Sequence, residues 1–198
     1  MTAERRLRTA IDAAEAAYAT QVSDPRGRAS VARIFAALRG PLHLRGAVPE
    51  RLPACRYFAQ GADASRLPEG PVRSLAHALV GLEPHLHWYR RTGGGAGANE
   101  AYPEGHANAM LIGPQGLAEV PGVWLGVSLL APGVRYPDHD HPPEESYLVF
   151  TEGGFWQEGR GWFTPGIGGT FYNRPGILHA MRSGEAPLLA MWALWKDP

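Results

Sequence analysis

His139, His141 and Glu145 stand at odd positions in the stretch Arg135 to Phe150, RYPDHDHPPEESYLVF, and Tyr147 follows two residues after the glutamate. In extended backbone alternate residues share a face, so two imidazoles, a carboxylate and a phenol would look the same way. Neutral imidazole and carboxylate suit zinc, iron, manganese or nickel, and a third imidazole, His179, on a later apolar segment would complete a four-ligand set. That set calls for one divalent transition metal ion per chain. Pro142 and Pro143 can bend the chain between His141 and Glu145, and Asp138 and Asp140 would permit a solvated turn, so the H-x-H triplet alone leaves both readings open. Tyr147 beside a cation would have its ionised form favoured and could act as general base. A packed tyrosine with a satisfied hydroxyl is an equal alternative.

The elements that must position these residues change character along the chain. From Thr2 to about Gln21, Leu7, Ala10, Ile11, Ala14, Ala17 and Tyr18 recur at helical spacing behind a capping threonine. The spacing predicts further helices over Ser30 to Leu38, after a turn at Asp24-Pro25-Arg26-Gly27, and over Pro71 to Leu82. Residues 43–67 carry no firm pattern. The glycine-rich run Arg91 to Asn99 lacks the GKS or GKT of a phosphate cradle and reads as a loop, dividing a helical region at 1–99 from a second region at 100–198. Beyond it, eight short strands are expected: 109–112, 123–130, 145–151, 154–157, 161–164, 169–172, 177–182 and 187–194. Glycine and proline turns separate them, as in a sandwich or jelly-roll barrel. The fold class is mainly β, with an N-terminal α-helical region.

Composition narrows the chemistry. The 198 residues, 44% hydrophobic, can bury a sizeable core, and nineteen basic and nineteen acidic side chains cancel. No global field therefore favours nucleic acid or an anionic membrane, and no helix-turn-helix signature appears. Lys196 is the only lysine, which leaves no Schiff-base candidate mid-chain, and the single Cys55 has no disulfide partner. Without a signal-type apolar run or a membrane-length span, a cytoplasmic protein is expected, with a small molecule as partner. The amphipathic N-terminal helices and a sheet edge offer surfaces for a homodimer.

Gly133, five residues, His139, one residue, His141, three residues and Glu145 reproduce the first half of the cupin signature. Gly169, five residues, Pro175 and a following His179 resemble the second half. Two positions depart from it: Gly176 follows the proline directly, and Ser183 stands where asparagine is common. The strings YPDHDHPPEESYLVF, FWQ, YNRPGILHAMRS and PLLAMWALW, behind a helical N-terminal half, resemble the bacterial cupin-type dimethylsulfoniopropionate (DMSP) lyases. The resemblance implies a cupin barrel whose metal is held by His139, His141, Glu145 and His179, with Tyr147 as the catalytic tyrosine and Tyr136 as a second active-site tyrosine. It also implies β-elimination, in which the metal binds the substrate carboxylate, Tyr147 removes the adjacent proton, and dimethyl sulfide and acrylate form.

A sulfonium without a dedicated carboxylate is expected on aromatic faces, for which Tyr136, Trp156, Trp162, Trp192 and Trp195 are candidates. Trp192 and Trp195 differ in parity, so at most one faces the barrel interior. His85, His87 and His106 read as surface or packing residues, and the pair Arg90-Arg91 reads as solvated rather than as an anion site. The same scaffold also hosts dioxygenases, isomerases and non-catalytic small-molecule-binding modules.

Overall fold

The computed structural model describes residues 1–46, 48–92 and 95–196; Gly93 and Gly94 of the glycine-rich run lie outside them. Helix α1 (Ala3–Gln21) begins where the Thr2 hydroxyl accepts the Arg5 N–H at 3.3 Å, and it buries the stripe from Leu7 to Tyr18. Helix α2 (Pro25–Leu38) starts five residues earlier than the spacing predicts. The Asp24 carboxylate caps the amides of Arg26 (2.8 Å) and Gly27 (3.4 Å), and Pro25 takes the first helical position, where its missing N–H costs nothing. Strand β1 (His43–Leu44), helix α3 (Phe58–Gly61), helix α4 (Pro71–Leu82) and strand β2 (Trp88–Tyr89) follow, with short 3-10 turns between.

After the one-turn helix α5 (Tyr102–Gly105) come β3 (His106–Ile112), β4 (Ala118–Glu119), β5 (Val123–Leu130), β6 (Glu144–Val149), β7 (Gly154–Gln157) and β8 (Gly161–Phe163), then β9 (Thr170–Asn173), β10 (His179–Arg182) and β11 (Leu188–Trp195). The larger sheet runs β1-β4-β3-β5-β11-β6-β9, with β2 paired to β3, and the smaller runs β10-β7-β8. Phe155 of β7 and Met181 of β10 pack into one apolar cluster with Tyr147, Ala190 and Trp192 of the large sheet, so the two sheets face each other. Isolated bridges Arg135↔Arg182 and His139↔His179 lay the segment before β6 along the free edge of β10.

The large sheet is buried on both faces, and period-two alternation sorts its residues. Leu125, Val127 and Leu129 of β5, with Leu189, Met191 and Ala193 of β11, join the helices in one apolar core. Trp124 and Ser128, with Trp192 and Leu194, face the other way, towards the second sheet. Space for the Trp192 indole is made by Gly126 across the strand pair, where a Cβ would lie 2.4 Å from the ring.

Candidate functional site

Between the two sheets lies a cavity of about 230 Å³, and His139, His141, Glu145, Tyr136 and Tyr147 all line it. Glu145 and Tyr147 share the inward face of β6, where Glu145 stands opposite Asn173 and Tyr147 opposite Phe171 and Trp192. His139 and His179 are held by reciprocal backbone hydrogen bonds of 3.0 and 2.9 Å. The two departures from the cupin pattern have structural roles. Gly176 adopts φ +66°, and its N–H donates to the His141 carbonyl at 3.0 Å, tying the two motif halves together. The Ser183 hydroxyl donates to the Ala131 carbonyl at 2.6 Å and accepts the Val134 N–H at 2.9 Å.

The three histidines are oriented alike. Nδ1 of His139, His141 and His179 each lies 2.9 Å from a backbone carbonyl, of Pro137, Pro143 and Ile177 respectively. A carbonyl can only accept, so Nδ1 carries the proton and the neutral ring presents its lone pair at Nε2. Nε2 of His141 and of His179 lie 3.4 and 3.3 Å from the Glu145 carboxylate. Nε2 of buried His179 has no hydrogen-bond partner. Lone pairs on nitrogen and carboxylate oxygen that converge in this way repel one another unless a positive charge sits among them.

His141, Glu145 and His179 offer donor atoms within 4.8 Å of one another. His139 adjoins this trio, its ring centroid 4.1 Å from that of His179. The donor set therefore fits a divalent ion on its own geometry. Behind it, the Asn173 amide donates to Glu145 at 2.8 Å, and Gln157 donates to Asn173 Oδ1 at 2.7 Å, fixing the orientation of the carboxylate.

Titration follows the same crowding. Burial opposes charge on Glu145, yet the influence of His141, and then of His179, outweighs it and holds the carboxyl well below the usual range. Burial pulls His141 down, but Glu145 reverses this and its net shift is upward. Burial, with His179 beside it, drives His139 down to about 3. The Tyr147 phenol is pushed far up, by burial first and then by the Glu145 charge.

The family model for dimethylsulfoniopropionate lyase matches residues 26–190. The chain belongs to the DMSP lyase family. It is 29% identical over 150 residues to DddL of Cereibacter sphaeroides, a match covering 73% of this chain but only 60% of the relative's length. It is 26% identical over 163 residues to the dimethylsulfoniopropionate lyase DddQ of Ruegeria pomeroyi, covering 82% and 79% of the two chains. Among solved structures, a chain from the study of the DMSP lyases RdDddP and RnDddQII superposes with a TM-score of 0.74 at 21% identity, covering 99% of this chain and 95% of that one. DddQ from R. pomeroyi superposes with a TM-score of 0.66 at 23% identity, covering 88% and 93%. At these identities the superpositions establish the fold, a cupin barrel preceded by a helical region.

Within this DMSP lyase family member the expected aromatic set divides. Tyr136 and Trp192 line the cavity, but Trp156 and Trp162 do not. Alternation along β7 turns Phe155 and Gln157 inward and leaves Trp156 on the outer side. Trp162, its cross-strand neighbour, is exposed and stacks with the guanidinium groups of Arg135 and Arg182. Trp195 packs beside Arg33 on the helical side. His87 bonds through Nδ1 to the Val48 carbonyl.

Several lining residues escaped the sequence reading. The Trp192 indole N–H donates to Ser128 Oγ (3.0 Å), that hydroxyl to Asn108 Oδ1 (2.6 Å), and the Asn108 amide to the Tyr136 hydroxyl (3.3 Å). The available signal was a polar residue at an inward position of an otherwise apolar strand: Asn108 in HANAMLI and Ser128 in VWLGVSLL. Arg91, expected to be solvated, also reaches the cavity.

Proposed function

We propose that the protein is a metal-dependent lyase that cleaves dimethylsulfoniopropionate to dimethyl sulfide and acrylate. The observation that carries this reading is the convergence of the Nε2 lone pairs of His141 and His179 on the buried Glu145 carboxylate, beside Tyr147, in a cavity sized for a small molecule. His141, Glu145 and His179, with His139 as the fourth ligand, would hold one divalent ion per chain; the donor set accepts zinc, iron, manganese or nickel. Bound there, the ion would supply Lewis acidity towards the substrate carboxylate and positive charge offsetting Glu145 beside Tyr147.

The ionised Tyr147 oxygen takes the proton from the carbon next to the carboxylate. The C–H electron pair becomes the new C=C bond, and the C–S bond breaks with its pair moving to sulfur. Neutral dimethyl sulfide leaves, acrylate keeps the carboxylate charge, and Tyr147 returns its proton to solvent. Its stacking on Phe171, at 4.9 Å between centroids and 13° between planes, holds the phenol against rotation during the transfer. Tyr136, fixed by Asn108, positions the substrate, and Trp192 offers an aromatic face to the sulfonium. The helical region 1–99 acts as support and residues 100–198 as the catalytic barrel. The lone, buried Cys55 suits a reducing cytoplasm, and among the described residues no helix is long and apolar enough to cross a membrane.

Headspace gas chromatography of purified protein loaded with each of several divalent metals tests this function. Dimethyl sulfide should be released from DMSP well above the buffer rate; no release with any metal would remove DMSP as the substrate.

A further inference from the structure

One cationic side chain in the cavity has no assigned role. Among the described lining residues Arg91 is the one guanidinium, and among the described residues it has no carboxylate partner. The neighbouring Arg90, by contrast, pairs with Glu104 at 2.7 Å and is engaged outside the cavity. Nη1 of Arg91 is buried without a hydrogen-bond acceptor. A buried charged donor left unpaired is costly, and such a group at a cavity wall marks the place of a missing acceptor.

The position is also built. The Arg91 backbone N–H donates to Nε2 of buried His106 at 3.2 Å, while Nδ1 of His106 bonds the Tyr102 carbonyl at 2.5 Å. His106 in turn stacks on Tyr102 with centroids 3.9 Å apart. This stack locks the backbone from which the guanidinium projects. Arg91 lines the same cavity as Tyr136, His139 and His141.

We propose that Arg91 binds the carboxylate of the substrate and so restricts the site to small anionic or zwitterionic carboxylates, with any cationic end directed away from it. The proposal deepens the lyase reading and rests on it for the orientation of the sulfonium. Guanidinium and carboxylate form charge-assisted hydrogen bonds, and a carboxylate has enough lone pairs to accept from Arg91 while another group takes its second oxygen. The like charge on Arg91 disfavours the sulfonium nearby and leaves the Trp192 face as its seat. Arg91 is thus a positioning and specificity residue.

Propionate and its neutral isostere propionamide test this, with binding followed by quenching of tryptophan fluorescence in protein of matched metal content. Wild-type protein should bind propionate more tightly than propionamide. Arg91→Gln should weaken propionate binding by about tenfold or more, the effect of one lost charged hydrogen bond, and leave propionamide unchanged. Arg91→Lys keeps the charge without the fork and should fall between the two; it carries the test should the glutamine variant not fold. The proposal is overturned if wild-type protein binds no propionate, if either variant binds it as wild type does, or if both ligands weaken equally. These outcomes are separate from the DMSP assay, since the lyase reading fails only if metal-loaded wild-type protein releases no dimethyl sulfide.

Discussion

The two faces of the large sheet are made from the same strands and are buried to similar degrees, yet they are built on opposite principles. On the helical face Leu125, Val127, Leu129, Leu189, Met191 and Ala193 meet the apolar stripes of α1, α2 and α4. The Tyr18 hydroxyl, buried on that side, donates to the Ser146 carbonyl at 3.0 Å, with the Met191 carbonyl at 3.3 Å. On the cavity face the alternate residues include Ser128, Glu145, Tyr147 and Trp192; side-chain hydrogen bonds link Trp192 through Ser128 to Asn108, and Asn173 to Glu145. The first face stabilises by removing apolar area from water; the second spends part of that stability on converging acceptors and a guanidinium whose Nη1 lacks an acceptor. One strand supplies both because its side chains alternate.

If the division is correct, substitutions on the two faces should separate activity from stability. The largest effect belongs to Tyr147→Phe, which removes the proposed base: turnover should fall about 10³-fold with metal content unchanged, measured by dimethyl sulfide release and elemental analysis. Loss of metal along with activity would assign Tyr147 a structural role. On the opposite face Leu129→Ala should cost about 2–5 kcal/mol in chemical unfolding while metal content in native buffer holds. A metal-depleted but stable protein would break the comparison.

Asn173→Ala leaves every proposed ligand in place but frees the Glu145 carboxylate, and should weaken metal affinity about 10–100-fold in a chelator competition. A smaller effect concerns His106, whose pKa is lowered from 6.5, first by burial and then by Arg90 and Arg91, against the Tyr102 carbonyl, which raises it. The unfolded chain takes up a proton as pH falls through about 6.5, whereas folded His106 resists it until lower pH. Stability present above 6.5 should therefore be lost as pH falls below it, and His106→Gln should flatten that part of the melting-temperature profile. The smallest effect is expected from Trp162→Ala, since its ring stacks with Arg135 and Arg182 outside the cavity. KM and kcat should both stay at wild-type values, and a raised KM would return Trp162 to the substrate.

Much of this arrangement was legible in the sequence because it depends on local periodicity. Helical spacing marked the stripes of α1 and α4, and alternation with glycine turns marked the strands of the barrel. The H-x-H-x3-E spacing named His141 and Glu145, whose donor atoms lie close to those of His179, while its first residue, His139, adjoins that trio without belonging to it. Signals that depend on tertiary context were missed. The early start of α2 rests on the Asp24 side chain, which reads equally well as part of a turn. Strand β3 begins at His106 rather than Ala109 because its polar residues, which resemble a loop, are satisfied by Tyr102, Ser128 and Tyr136. Arg91 reads as solvated because nothing in its local sequence shows that Trp88 and Tyr89 pair with β3 and carry the next residues to the cavity. For Trp156 the parity was available: Phe155 and Gln157 take the inward positions.

The most direct measurement follows dimethyl sulfide release while a divalent metal is titrated into chelated protein, with bound metal counted in the same samples. The account predicts saturation at about one ion per chain, with activity rising in proportion to occupancy. Full activity in metal-free protein, or one tightly bound ion per chain with no release of dimethyl sulfide, would contradict it.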